Sequence, residues 1–215
     1  MKKGLFITFE GTEGCGKSTH SKLLAAFLKQ SGFNVYHTRE PGGTLIGEKI
    51  RHILLDASHN TMSALTELFL YMAARNQLVE KYIKQALKKG AIVICDRFLD
   101  ASIAYQGYGL GLDTKMIRFL GNLATDGTMP DLTILLDINP EAGIRKTKRD
   151  DRIEKRSMVF HKKVYNGYHA LARREPQRIK VVPVLKDIAH TQEMVRSVIL
   201  RCLNKYAVRK AKNKS

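Results

Sequence analysis

Residues 5–19, LFITFEGTEGCGKST, constrain what this chain can fold into more than any other stretch. Gly11, Gly16, Lys17 and Ser18 complete the pattern G-x-x-x-x-G-K-[ST], which carries weight only between a strand and a helix. Both flanks are present. Residues 5–9 are a continuous apolar run of the kind found in strands buried on both faces, and Leu23, Leu24, Phe27 and Leu28 recur at helical spacing behind the loop. Glycines at 11, 14 and 16 let the backbone curl until several N–H groups face one anion, and a helix opening at Lys17 adds the positive end of its dipole. Lys17 then reaches a polyphosphate as a mobile point charge, and the Ser18 hydroxyl is hard enough to take a place on Mg²⁺. The plainer alternative is a Gly-rich turn with a coincidental Lys-Ser. Which group receives a transferred phosphoryl must come from elsewhere in the chain.

At 215 residues and 44% hydrophobic content, one domain is expected over residues 1–207, with a core that needs neither disulfides nor a structural metal. Met1-Lys2-Lys3 leads straight into the first strand and no long apolar run follows, so the expectation is a soluble, cytoplasmic protein without membrane contact. Cys15, Cys95 and Cys202 have no C-x-x-C spacing, which argues against a zinc site and a disulfide framework. Cys15 is the candidate for a reactive thiol, because it would sit in an electropositive loop. The formal charge of +17 permits binding of nucleic acid or anionic membranes as well as polyphosphates. Six Lys and Arg lie in residues 201–215 with no acid among them and only Tyr206 as an aromatic, so 208–215 is expected to be a disordered basic tail without a specific nucleic-acid partner. Seven more lie in 145–156 against three acids.

Along the chain, Gly32 stops the first helix and residues 34–38 read as a short strand. Arg39-Glu40-Pro41-Gly42-Gly43 is a sharp turn where a ligand can approach the backbone. A helical stripe of Ile46, Ile50, Ile53 and Leu54 follows, with Arg51 on its outer face reading from spacing alone as a surface residue. Residues 63–88 form a long helical segment in which Arg75 falls beside the apolar face. A buried guanidinium needs an anion, and the alternatives are a ligand or a carboxylate such as Glu67 or Glu80. Residues 91–95 make a second buried strand ending at Asp96-Arg97, where open parallel sheets bind ligands; the alternative is an ordinary strand-end ion pair. Gly107-Tyr108-Gly109-Leu110-Gly111 reads as a flexible loop, 132–137 as a third buried strand, and Pro140 as the first residue of a helix. The charged excursion at about 145–153 is either a mobile lid over phosphates or a solvated connection. Residues 180–184 are the last strand, and a last helix follows.

These landmarks resemble the thymidylate kinase family over roughly residues 4–206. FEGTEGCGKST, TREPGGT followed by GEKIR, YMAARNQ, VICDRF, SIAYQG, PDLTILLD and DRIE occur in that family's order and spacing. REPGG, AAR-x-Q and DR followed by AYQG discriminate more than the glycine loop, which very many nucleotide-binding proteins share. The resemblance implies an α/β fold of the three-layer P-loop NTPase kind, nucleoside monophosphate kinase-like, with a parallel sheet of about five strands flanked by helices. It also implies ATP-dependent phosphorylation of dTMP to dTDP, feeding dTTP for DNA synthesis, with ATP as co-substrate, Mg²⁺ as cofactor, and a homodimer to which residues 63–88 contribute.

Residue by residue, the resemblance assigns Gly11, Thr12, Glu13, Gly14, Cys15, Gly16, Lys17, Ser18 and Thr19 to the ATP phosphates, and Ser18 with Asp96 to the metal. Glu13 would face the reaction centre, Arg97 and Arg51 the dTMP phosphate, and Arg75 the base. Arg39, Pro41, Ser102, Tyr105 and Gln106 would complete the dTMP site. Tyr71 stands where the family usually carries a Phe stacked on thymine, so its hydroxyl needs a partner or water, and Ala101 replaces a usual Ser. The loop contains no Arg, so the chain resembles members whose catalytic Arg comes from the lid; Arg149 and Arg152 are the candidates. The rivals are a kinase of another nucleoside or nucleotide on the same fold, and a nucleic-acid-binding ATPase. The latter would leave REPGG, AAR-x-Q and AYQG without a role.

Overall fold

A computed structural model describes residues 4–148 and 150–212, with 205–212 described by backbone alone. Among these residues one parallel sheet is formed by β1 (Leu5–Glu10), β2 (Val35–Arg39), β3 (Ile92–Asp96), β4 (Leu132–Asp137) and β5 (Ile179–Pro183), in the spatial order β2-β3-β1-β4-β5. The central strands β1 and β3 are buried throughout and β4 nearly so. Their continuous apolar runs need cover on both faces, which in a parallel sheet the crossover helices supply.

On one face α1 (Lys17–Gln30) and α9 (Ile188–Lys212) pack Leu24, Leu28, Val195 and Ile199 against Ile7, Phe9, Ile94 and Ile134. The other face is larger. It holds α3 (Ala64–Leu78), a π-helical stretch Val79–Ile83, α4 (Lys84–Lys88), α5 (Leu99–Ser102), a second π-helical stretch Ile103–Gly109, α6 (Thr114–Thr125) and α8 (Met158–Arg174). Leu68, Leu78, Phe98, Ile117, Val164 and Leu171 meet Phe6, Val93 and Leu135 there. Each such side chain contributes roughly 1.5–3 kcal/mol by leaving water. The remaining helices, α2 (Leu45–Leu55) and α7 (Pro140–Ile144), flank the carboxyl edge of the sheet.

Local signals explain the boundaries. Gly32, at φ 82°, stops α1 and Gly90, at φ 79°, follows α4. Thr44 and Ser63 accept backbone N–H groups at the starts of α2 and α3, and Pro140 opens α7 behind an Asn139 cap.

Two expectations are corrected. Residues 107–111 are not a flexible loop: Ile103–Gly109 is π-helical and buried through Gly107. Its glycines serve close packing instead of freedom, since a Cβ on Gly107 would stand 2.9 Å from Thr114 and one on Gly109 would stand 2.5 Å from the Phe160 ring, while on α8 a Cβ on Gly167 would stand 2.7 Å from Tyr108. At the C-terminus α9 runs on to Lys212, so the backbone of 208–212 is helical where composition suggested a disordered tail. Lys, Arg and Ala extend a helix readily without an apolar surface to dock on. Residues 213–215 lie outside the described residues.

Candidate active site

The glycine loop lies between β1 and α1 with Gly11, Gly14 and Gly16 all at positive φ. Gly14 has a second reason to lack a side chain. A Cβ there would stand 2.0 Å from the Gly143 carbonyl oxygen, and one on Gly143 would stand 2.3 Å from the Glu13 carbonyl, so loop and α7 meet backbone to backbone. Lys17 is buried and folds back over its own loop, donating to the Thr12 carbonyl at 2.8 Å and to Cys15 Sγ at 3.4 Å. Ser18 Oγ donates to Asp96 Oδ2 at the end of β3. Cys15 is 1% exposed, so the expectation of a reactive thiol is corrected: the electropositive setting is there, but access is not.

Beside the loop, Arg97 holds a left-handed backbone at φ 71°, which a non-glycine residue keeps only when its surroundings fix it. They do: Arg97 N–H donates to the Phe9 carbonyl at 2.9 Å, and the next N–H, of Phe98, donates to Glu10 Oε1 at 2.7 Å. The guanidinium pairs with Glu13 at 2.7 Å, donates to the Gly11 carbonyl and to Tyr168 Oη, and lies 4.8 Å from the Tyr105 ring centre. Burial works to raise the Glu13 carboxyl, but Arg97, then Lys17 and the Tyr105 hydroxyl, outweigh it and bring it down to about 2. Glu10 is the opposite case. Sealed from water and facing Asp100, it is pushed up to about 8 despite hydrogen bonds from Tyr168 and Phe98.

Deeper lies an inner pocket, open on one side to solvent and floored by Tyr71, Arg75, Phe98, Ser102, Tyr105 and Gln106. Arg75 is 1% exposed; its anion is Glu40 at 2.8 Å, neither Glu67 nor Glu80. Its Nη2 donates to the Phe98 carbonyl and Ser102 Oγ, while Nη1 has only Met72 Sδ at 3.3 Å. Burial raises Glu40 to about 7 against the pull of Arg75. Tyr71 is half-buried, and no hydrogen bond from a described residue reaches its hydroxyl, so it stays wet. Arg51 is half-buried and drawn in rather than a plain surface residue; its Nη1 donates to the Pro41 carbonyl at 3.0 Å, and it lines the pocket with Pro41 and Ala101. Arg39 is exposed and paired with Glu48 at 3.0 Å at the rim.

The charged excursion divides. Lys146, Thr147, Asp151 and Glu154 line a second cavity together with Gly14, Gly16, Lys17, Ser18, Thr19 and Asp96. Arg152 lines neither: it is 7% exposed, donates from Nε to the Leu54 carbonyl at 2.9 Å, and lies 2.6 Å from Glu67 Oε2. Arg149 lies outside the described residues. Both cavities share Glu13, Glu40, Arg51, Arg97 and Asp151 on their walls.

Sequence reasoning gave no site role to Glu10, Glu40, Tyr168, Lys146 and Gly143, and offered Glu67 only as a partner for Arg75, whereas it pairs with Arg152 and Arg156. An acid closing an otherwise apolar strand was the available signal for Glu10; the others depend on contacts between distant segments.

The thymidylate kinase family model matches residues 9–195. A thymidylate kinase of Exiguobacterium sp. is 47% identical over 210 residues, covering 96% of this chain and 99% of its own. One from Geotalea uraniireducens is 47% identical over 206 residues, covering 92% and 97%. Among solved structures, thymidylate kinase from Ehrlichia chaffeensis superposes with a TM-score of 0.75 at 37% identity, over 91% of this chain and 98% of that one.

Proposed function

The chain belongs to the thymidylate kinase family, and from that premise we infer that it transfers the γ-phosphoryl group of ATP to the phosphate of dTMP, giving dTDP and ADP. The observation that carries the reading is the shared wall: a monophosphate in the inner pocket and a triphosphate in the loop cavity would meet at Glu13, Arg51 and Arg97. The acceptor is an anion at neutral pH, so no general base is required, and catalysis is positioning and charge neutralisation.

Backbone N–H groups of the loop would hold the β-phosphate, with Lys17 leaving the Thr12 carbonyl for the transferred group. Arg97 and Arg51 would hold the acceptor phosphate. Two hard oxygens, Ser18 Oγ and Asp96 Oδ2, sit together on the cavity wall, which suits an ion that keeps most of its ligands as water and phosphate; Ser18 and Asp96 would hold Mg²⁺, which neutralises charge between the phosphates. Of the two lid candidates within 145–153, Arg152 is paired with Glu67 in this conformation, which favours Arg149 as the catalytic lid arginine.

Residues 1–207 are read as one domain acting as a homodimer. Supporting this, Leu45, Ile46 and Ile53 on α2, Leu65 and Phe69 on α3, and Phe119 and Leu123 on α6 are exposed on helices that pack side by side. No helix among the described residues is long and apolar enough to cross a membrane, and a cytoplasmic location is proposed. The test is ADP formation with dTMP, dUMP, dCMP or AMP as acceptor. Preferential stimulation by dTMP is expected; equal response to all four, or to none, overturns the reading.

A further inference from the structure

Glu67, on α3, is fully buried in a chain whose proposed chemistry gives it nothing to do. Its Oε1 accepts from Gln106 Nε2 at 2.8 Å; its Oε2 lies 2.5 Å from Arg156 Nη2 and 2.6 Å from Arg152 Nη2. We propose that Glu67 is a positioning residue that sets which pyrimidine edge the inner pocket accepts, by fixing Gln106 with its amide oxygen toward the base. The proposal rests on the kinase reading above.

A glutamine amide is symmetric in shape and free to present either end. A carboxylate held between two guanidiniums only accepts, so the end of Gln106 facing it must be the NH₂. The other end, Oε1, receives no hydrogen bond from a described residue, and Gln106 lines the inner pocket. Across that pocket Arg75 has spent Nε and Nη2 on Glu40, Phe98 and Ser102, leaving Nη1 with only a weak sulfur acceptor. Among the groups lining the pocket, Arg75 Nη1 and Gln106 Oε1 thus form a pair of one donor and one acceptor. That pair complements the carbonyl at C4 and the N–H at N3 of a keto-pyrimidine. A 4-amino-pyrimidine presents the reverse pattern, and its two groups would face like partners. Were the amide reversed, Gln106 would suit N3 of the amino base. Arg152 and Arg156 thus act on the base from the lid side, by holding Glu67 as an obligate acceptor.

The test is kcat/KM for dTMP and for dCMP in wild type, Glu67→Gln and Glu67→Asp, with folding followed by thermal melting, and the same Glu67→Gln change in a Gln106→Met background. A glutamine at 67 can face Gln106 with either end, so the dTMP-to-dCMP ratio is expected to fall at least tenfold, through KM rising for dTMP and falling for dCMP. In the Gln106→Met background the same change should move the ratio less than twofold, whereas a merely structural role would act equally in both. An unchanged ratio, or an equal fall in both backgrounds, overturns the proposal. Should Glu67→Gln fail to fold, Glu67→Asp keeps the charge but stops one methylene short of Gln106; the same fall in the ratio is expected of it, and an unchanged ratio there overturns the proposal equally. A wild-type chain that phosphorylates neither nucleotide overturns the kinase reading, and this proposal with it.

Discussion

The loop cavity and the inner pocket are neighbours built in opposite ways. The first is built around backbone: a loop of a few consecutive residues with three glycines at positive φ, abutting a fourth glycine on α7, with side chains from other segments closing its remaining walls. The second is lined mainly by side chains, assembled from α2, α3, the turn after β2, the residues after β3 with α5, the π-helical stretch and residues 151–153, and held in direction by buried pairs, Arg75 with Glu40 and Glu67 with Arg152 and Arg156. Phosphate is the same anion in every nucleotide, and N–H groups in a tight curl suffice to bind it. A base has direction, so reading it requires groups whose own orientation is enforced, at the cost of burying charge that only good pairing offsets.

The contrast makes the largest effect fall on the one essential side chain of the loop. Lys17→Ala is expected to cut kcat roughly a thousandfold while the melting temperature and ATP binding change little, because the backbone cradle remains. Near-normal turnover in a steady-state assay would take the loop out of the mechanism. Next, the lid should split by region. Arg149→Ala is expected to lower kcat roughly a hundredfold with little change in the KM for ATP, as for a group used only in the transition state. Arg152→Ala should instead lower stability, by up to about 3 kcal/mol in urea unfolding, since Glu67 loses one of its counter-charges. The reverse assignment of kcat and stability losses would erase the division between the two arginines.

The smallest effect concerns the carboxylate behind both regions. Folded, Glu10 holds its proton up to about pH 8, against 4.5 when free. The folded chain therefore binds more protons than the unfolded chain between those values, and stability falls as pH rises through that window. Glu40 adds the same sign up to about 7, whereas Glu13, brought down to about 2, contributes stability that is lost only as pH falls below its free value. Glu10→Gln should flatten the decline in melting temperature between pH 4.5 and 8, by roughly 2–4 °C for each kcal/mol recovered. A decline as steep as in wild type would show that Glu10 is not its source.

What could be read from the sequence follows the same division. Residues 5–19 announce strand, loop and helix because each of their roles is played by neighbours in the chain, and Asp96-Arg97 stood out because a buried strand ends there. Arg75 was legible as a buried cation, but its partner, Glu40, is thirty-five residues away and closer acids compete for it on paper. Gly107 and Gly109 suggested looseness because glycine permits it, yet whether a glycine frees the chain or lets Phe160 come close depends on α8, which periodicity does not position. Arg152 likewise carried the right charge for a lid; only the fold turns it toward Glu67.

Cys15 gives the loop an internal clock. Its thiol is sealed beneath the glycine backbone with Lys17 Nζ beside it, so an alkylating reagent reaches it only when the loop lifts away from the sheet. The half-buried Cys202 is consumed sooner and marks the reagent's supply. The slower loss of Cys15 then counts loop openings one molecule at a time, and a bound polyphosphate, by holding the loop down, slows the count. A motion without a chromophore is thereby written into the protein as a permanent mass increment.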